Sequence, residues 1–175
     1  MNVRMEEFAS LSLPALQKRY AEGPSALDRR VLELPEKLAR QMFRPEDDCG
    51  AWSCTTVIGH LADAEIAFVH RLRRAAAEEM PGFAVWDENA FVDRGLYALK
   101  SPLSLSLAFD ALLALRKWTA LWLSELPEGD FARKGKHPER GEQTLRNILE
   151  YAAWHLEHHG SFLNRKVEIL LGKGA

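Results

Sequence analysis

Three of the six histidines in this 175-residue chain fall within five positions, in Tyr151-Ala-Ala-Trp-His-Leu-Glu-His-His159. The stretch belongs to a segment that reads as a helix. It opens at Thr144, whose hydroxyl can cap the first free amides, and runs to about residue 171. At about 100° per residue, Leu145, Ile148, Leu149, Ala152, Leu156, Phe162, Leu163, Val167 and Leu171 share one face. His155 and His159 fall inside that face, whereas His158 lies about 100° round, on the flank with Lys166. Imidazoles four residues apart on a helix have Cβ atoms roughly 5–6 Å apart, so both can converge on one metal ion. Two ligands are too few, and a third must come from another element. Read alone, the pair also fits an ordinary core, with each ring bonded to a carbonyl or a water.

Holding such a site takes a packed interior, and the composition provides for one. Hydrophobic residues make up 47% of the chain and charged residues 27%, the proportions of an ordinary globule, and the length suits a single domain over residues 1–175. A formal net charge of −2 without a basic patch argues against nucleic acid as a partner. The N-terminus lacks the apolar stretch of a signal peptide, and no run has the length of a membrane span free of charges. Cys49 and Cys54 read as two free thiols of a reducing compartment. The expectation is a cytoplasmic protein that binds neither membrane nor nucleic acid.

The helical pattern recurs along the chain. A first helix is expected over residues 13–34, with Pro14 in its first turn and an interruption at Gly23-Pro24, followed by a short helical piece over 35–42 and a loop to Gly50. Ser53 is a natural cap for a second helix over about 54–79, striped by Val57, Leu61, Ala64, Phe68, Leu72 and Ala75 and stopped by Met80-Pro-Gly82. Trp86-Asp-Glu-Asn-Ala-Phe91 reads as a loop with a helical turn. Ser101-Pro-Leu-Ser104 opens a third helix over 105–126 that is apolar almost all round, as expected of a helix buried on several sides or meeting a second subunit. Arg116 interrupts that apolar surface. The expectations for it are, in order, a salt bridge, a snorkelling side chain and an anion site. Residues 130–143 show no periodicity and read as a linker. With no long β-pattern, the fold class is all-α, an up-down four-helix bundle with short extra helical turns in its connections.

Among the remaining histidines, His70 lies on the outer side of the second helix and His137 in the linker, where nothing in the sequence positions it. His60 sits on the inward shoulder of its helix, beside small residues at Ala64 and Ala67, and is the natural partner for His155 and His159. Asp63, one turn on, could orient the His60 ring as an acceptor, or stand as a solvated carboxylate.

The stretch Trp52-Ser-Cys-Thr-Thr-Val-Ile-Gly-His-Leu-Ala-Asp-Ala-Glu65 resembles the second helix of DinB-like proteins, in particular the YfiT-like group. The Trp86-Asp-Glu loop, His137-Pro-Glu-Arg-Gly141 with Thr144-Leu145, and Tyr151 to His159 extend the resemblance in the same order, over about residues 44–163. It implies a DinB-type bundle, often a homodimer, that binds one divalent metal through His60, His155 and His159. One departure is Thr56, where family members often carry an acidic residue after the Trp-Ser pair; it removes a capping-box partner rather than a ligand.

Three neutral imidazoles leave a divalent ion, zinc or nickel first among those that imidazole suits, with an open position for water or substrate. Zinc so held lowers the pKa of bound water to about 7. The YfiT-like group is described as metal-dependent hydrolases, which agrees with that chemistry. Asp63, Glu65, Asp87 and Glu88 are the candidate general bases, unranked by sequence. Other DinB-like relatives resemble thiol S-transferases, for which Arg71 or Arg116 could hold an anionic group of the thiol. The remaining alternative is a non-catalytic metal-binding stress or interaction protein, with Trp154, outside the core face, at a dimer surface or under a loop.

Overall fold

A computed structural model of the protein describes residues 3–98, 101 and 104–172. A short helix α1 (Met5–Ala9) precedes α2 (Leu13–Glu22), and α3 (Glu36–Ala39) is a single turn. Then come α4 (Cys54–Ala77), α5 (Glu88–Asp93) and α6 (Ser104–Glu125). Strands β1 (Lys134–His137) and β2 (Gly141–Thr144) form an antiparallel pair before α7 (Leu145–Leu171). The long helices α2, α4, α6 and α7 make a four-helix bundle.

Local chemistry sets the helix ends. Ser12 Oγ accepts the Ala15 amide to start α2, and Gly23-Pro24 ends it by tightening the chain into 3₁₀ turns at Gly23–Ala26 and Arg29–Glu33. Ser53 Oγ caps α4 by accepting the Thr56 amide at 3.1 Å, and the Thr56 hydroxyl lies 3.0 Å from it, where an acidic side chain would complete a capping box. α4 ends at Ala77, just before the turn at Met80, whose φ is 44°. α7 opens on a reciprocal capping box between Thr144 and Asn147. Pro102 and Leu103, part of the expected start of α6, lie outside the described residues.

The expected linker over 130–143 is instead a 3₁₀ turn (Glu128–Ala132) and the β1–β2 hairpin. Its strands, Lys134-Gly-Lys-His and Gly-Glu-Gln-Thr, have none of the alternating β-branched or aromatic residues that would announce them. The pairing is held from outside as well: the Phe83 amide donates to Lys136 O at 2.9 Å, and the Lys136 amide to Pro81 O at 2.8 Å. Gly135 is required there, because a Cβ would stand 2.1 Å from the Phe83 ring.

α2 packs against α6 and α7, and α4 packs against the same two helices. Consecutive bundle helices α2 and α4 therefore occupy opposite corners, as do α6 and α7. α6 is inward-facing at Phe109, Leu112, Thr119 and Leu123, but Leu107, Trp118 and Leu121 are exposed on its outer side, so it is not buried all round.

Arg116 meets all four helices at the centre. Its Nη1 donates to Glu65 Oε2 of α4 at 2.6 Å, its Nε to Tyr20 O of α2 at 2.9 Å, and its Nη2 to Ala152 O of α7 at 3.1 Å. The Tyr20 hydroxyl donates to the other Glu65 oxygen. Arg116 and Glu65 are each 1% exposed, so this is a fully desolvated pair whose charges are satisfied on every side. Burial, then the Glu65 charge, pushes the Tyr20 phenol well above its ordinary range. Removing one member of such a pair leaves an uncompensated buried charge, so Arg116→Met should destabilise the fold by about 3–5 kcal/mol. Thermal unfolding should show this as a drop of roughly 6–20 °C in Tm. A loss within about 1 kcal/mol would mean that packing alone holds the four helices.

Candidate metal centre

Three side chains from two helices meet in the bundle interior. His60 comes from the inner side of α4, and His155 and His159 from successive turns of α7. One ligand atom of each lies within 4.8 Å of those of the others, a group that can hold a metal ion. His60 Nε2 and His155 Nε2 are 3.1 Å apart. His60 is 3% exposed and His155 8%, while His159 is half-buried.

Aromatic rings enclose the three imidazoles. Trp52 lies nearly parallel to His159, with centroids 6.1 Å apart, and meets His60 edge-on at 5.1 Å. Phe68 meets His155 edge-on at 5.5 Å, and Tyr151 tilts over it at 6.0 Å. In that shell protonation is unfavourable. Burial, followed by the neighbouring His159 and His60, holds His155 well below the ordinary histidine range. Burial, then His60, brings His159 down to about 3. Burial also lowers His60, against a smaller opposing pull from Glu88 and Asp63. All three rings are therefore neutral at pH 7, the form that ligates metals. His60 Nδ1 is buried without a hydrogen-bond partner, so nothing in the protein commits this ring to a tautomer. The donor set, its convergence and its neutrality fit one divalent ion of the kind imidazole prefers.

The other candidates fall into distinct places. Asp63 does not reach His60: its carboxylate accepts the Tyr97 hydroxyl at 2.8 Å. That bond ties down the chain after α5, and Gly59 makes room for the Tyr97 ring, which a Cβ would approach to 2.4 Å. Glu65 is taken up by Arg116, and Arg116 by Glu65, which leaves neither free for a base or an anion. Asp87 caps α5 through the amides of Asn89 and Ala90. Glu88 lines a cavity of ≈ 110 Å³ that His60 also lines. His70 is exposed, and His158 stacks on Trp154 with centroids 4.8 Å apart. Trp154 is not a free surface, because its indole N–H donates to Val3 O at 2.9 Å under the N-terminal segment. Cys49 and Cys54 are free and buried, and burial pushes the Cys54 thiol up to about 11, out of thiolate chemistry.

His137, without any position in the sequence reading, is placed by the hairpin in the wall of the same cavity. It is 3% exposed, and its Nδ1 accepts the amides of Glu139 and Arg140 at 3.2 and 3.3 Å. Burial, and then Arg71 and Arg140, keep it below the usual histidine range. Arg71, Trp86, Glu139, Arg140 and Tyr151 line this cavity as well. Of these, Glu139 and Arg140 are brought there by the turn of the unforeseen hairpin. On the far side of His159, Trp52, Val57 and Phe162 border an apolar cleft of ≈ 230 Å³.

The depressed histidines make stability depend on pH in a definite direction. In the unfolded chain a histidine takes up its proton near about 6.5, whereas folded His159 does so only at about 3. As pH falls below about 6.5 the unfolded state binds protons that the folded state refuses, so stability falls; above that value this contribution is constant. Metal-stripped protein should lose stability between pH 7 and pH 5, with up to about 1.4 kcal/mol per pH unit coming from His159 alone. Denaturant unfolding across that range measures the slope, and His159→Gln should reduce it by the share of His159, leaving the shares of His60 and His155. A slope unchanged by the substitution would contradict the depressed histidine.

Comparison with known proteins agrees with this architecture. The family model for the DinB superfamily matches residues 8–163. The chain is 32% identical over 136 residues, 78% of its own length and 74% of the relative's, to a protein of Oceanobacillus iheyensis named a putative metal-dependent hydrolase. YfiT of Bacillus subtilis, which carries the same description, is 35% identical over 139 residues, 79% of this chain and 74% of YfiT. The solved structure of YfiT, described as having an unusual four-helix bundle topology, superposes with a TM-score of 0.78 at 24% identity, over 91% of this chain and 90% of that one. With its bundle, its histidine trio and a family match over most of its length, this chain belongs to the DinB superfamily.

Proposed function

We propose that the protein is a metal-dependent hydrolase whose ion, zinc or nickel, is held by His60, His155 and His159. The observation that carries this reading is the convergence of three neutral imidazoles, two buried and one half-buried, with His60 in the wall of a solvent-reaching cavity. The names of the relatives, metal-dependent hydrolases, point the same way. When bound, a divalent ion supplies a Lewis acid and acidifies water for attack on an ester, amide or similar centre. The chain's own residues do the rest. Trp52, Phe68 and Tyr151 exclude bulk water from the imidazoles and orient them by ring contacts. Glu88 and Glu139 supply the cavity's carboxylates, the groups able to accept a proton there.

The exposed side of α6 supports a second part of the proposal, a homodimer. Leu107, Trp118 and Leu121 fall on one face of the helix, at 63%, 55% and 63% exposure. No helix among the described residues is long and apolar enough to cross a membrane, so this face is not part of a span.

Elemental analysis of the purified protein should find about one equivalent of metal, and His60→Ala should lose most of it. Hydrolysis of a generic ester panel should disappear with a chelator, return with added metal and be lost in His159→Ala. Absence of metal after reconstitution with zinc and nickel would overturn the reading. Turnover of an electrophile only in the presence of added thiol would replace hydrolysis with thiol transfer. For the dimer, light scattering should give twice the monomer mass, and Leu121→Glu should halve it; a monomeric wild type refutes that part.

A further inference from the structure

The cavity beside His60 has a buried cation in its wall that the hydrolytic chemistry does not require. Its acidic residues, Glu88 and Glu139, are exposed and sit at the mouth, as does Arg140, which donates to the Tyr151 hydroxyl at 2.8 Å. Arg71, by contrast, is 7% exposed. It donates through Nη2 to Ala84 O at 2.8 Å, and its Nε is buried without any partner. Among the described residues no carboxylate pairs with it, unlike Arg116, which is as deeply buried and fully satisfied. A second donor in the same wall, the Trp86 indole Nε1, is also buried and unpartnered, and the two side chains lie together with the guanidinium 5.8 Å from the ring centre. Arg71 and Trp86, two residues that line one cavity, thus each carry a buried donor without a protein partner, and such donors call for an acceptor from outside the protein, a water or a ligand.

We propose that this cavity recognises substrates bearing a small carboxylate, with Arg71 and Trp86 as its donors, next to the scissile bond held at the histidines. Guanidinium is the side chain best matched to a planar carboxylate, because its donors are parallel and fixed in a fork. A volume of ≈ 110 Å³ has room for several water-sized groups, which suits a carboxylate on a short stem rather than a nucleotide or polymer. The indole adds a neutral donor that selects for an acceptor without adding charge. The substrate class rests on the hydrolase reading; the carboxylate site itself does not.

The test therefore measures binding without turnover. Purified full-length protein, its metal content determined, is titrated with propionate, propionamide and inorganic phosphate by calorimetry, and the Trp86 indole N–H is followed by NMR. Propionate should bind saturably and shift the Trp86 signal, and propionamide and phosphate should bind at least tenfold more weakly. Arg71→Met should lower propionate affinity at least tenfold at unchanged metal content. Trp86→Phe, which leaves the Arg71 contact to Ala84 in place, should lower it severalfold and serves where Arg71→Met fails to fold. Propionate affinity unchanged in both variants would place the carboxylate on the metal and overturn the proposal. Equal binding of propionamide, preference for phosphate, or no binding to metal-loaded protein would also overturn it, the last while leaving the hydrolase reading intact. Saturable propionate binding to a protein that takes up no metal would keep the carboxylate site and remove the hydrolase.

Discussion

Everything in this bundle is referred to the Arg116–Glu65 pair. Its guanidinium touches backbone carbonyls of α2 and α7 and a carboxylate of α4, while its own backbone belongs to α6. Apolar faces slide past one another at little cost, but a forked donor with three acceptors on three helices has one arrangement. Glu65 lies five residues beyond His60, and Ala152 three before His155. The contacts that neutralise the buried charge are thus the contacts that hold α4 and α7 in the register at which their histidines meet.

The histidine trio then needs few specialised supports. Its surroundings are rings, its imidazoles are neutral because they are buried, and the edges of Trp52 and Phe68 limit their rotation. The more elaborate construction is the cavity wall. There the chain leaves the bundle after α4, lays residues 81–83 beside β1, and returns through Tyr97 against Gly59. Trp86 and Glu88 come from this excursion and His137, Glu139 and Arg140 from the hairpin, joined there by Arg71 of α4 and Tyr151 of α7. One part of the molecule holds the ligand set and another shapes what approaches it.

This division explains what could be read in advance. The helix faces were legible because helical periodicity puts His60, His155 and His159 among apolar neighbours, and because Ser53 and Thr144 mark where those helices start. Arg116 was legible as a charge that needs a partner, and Glu65 as a carboxylate, but nothing local joins residues 51 positions apart. The hairpin stayed hidden because Lys134-Gly-Lys-His carries no strand pattern and is paired by Pro81 and Phe83 from a distant segment. With it were hidden the setting of His137 and the place of Trp86. The sequence leaves Trp154 between a dimer surface and burial under a loop, because α7 alone gives no sign that Val3 O returns to accept its indole proton.

The diagonal placement of consecutive helices also bears on how quickly the native state is reached. In a bundle of successive hairpins, each helix can dock on the one just made, and short loops close first. Among the described residues, α4 and α6 are the only consecutive pair of long helices packed closely on each other; α2 must wait for α6 and α7, both synthesised far behind it. Loop-closure entropy is therefore spent before the contacts of α2 with α6 and α7 can form, which raises the contact order above that of a bundle of successive hairpins. A fold of helices, the fastest of all elements to form, is in this way given the assembly rate of a more entangled topology.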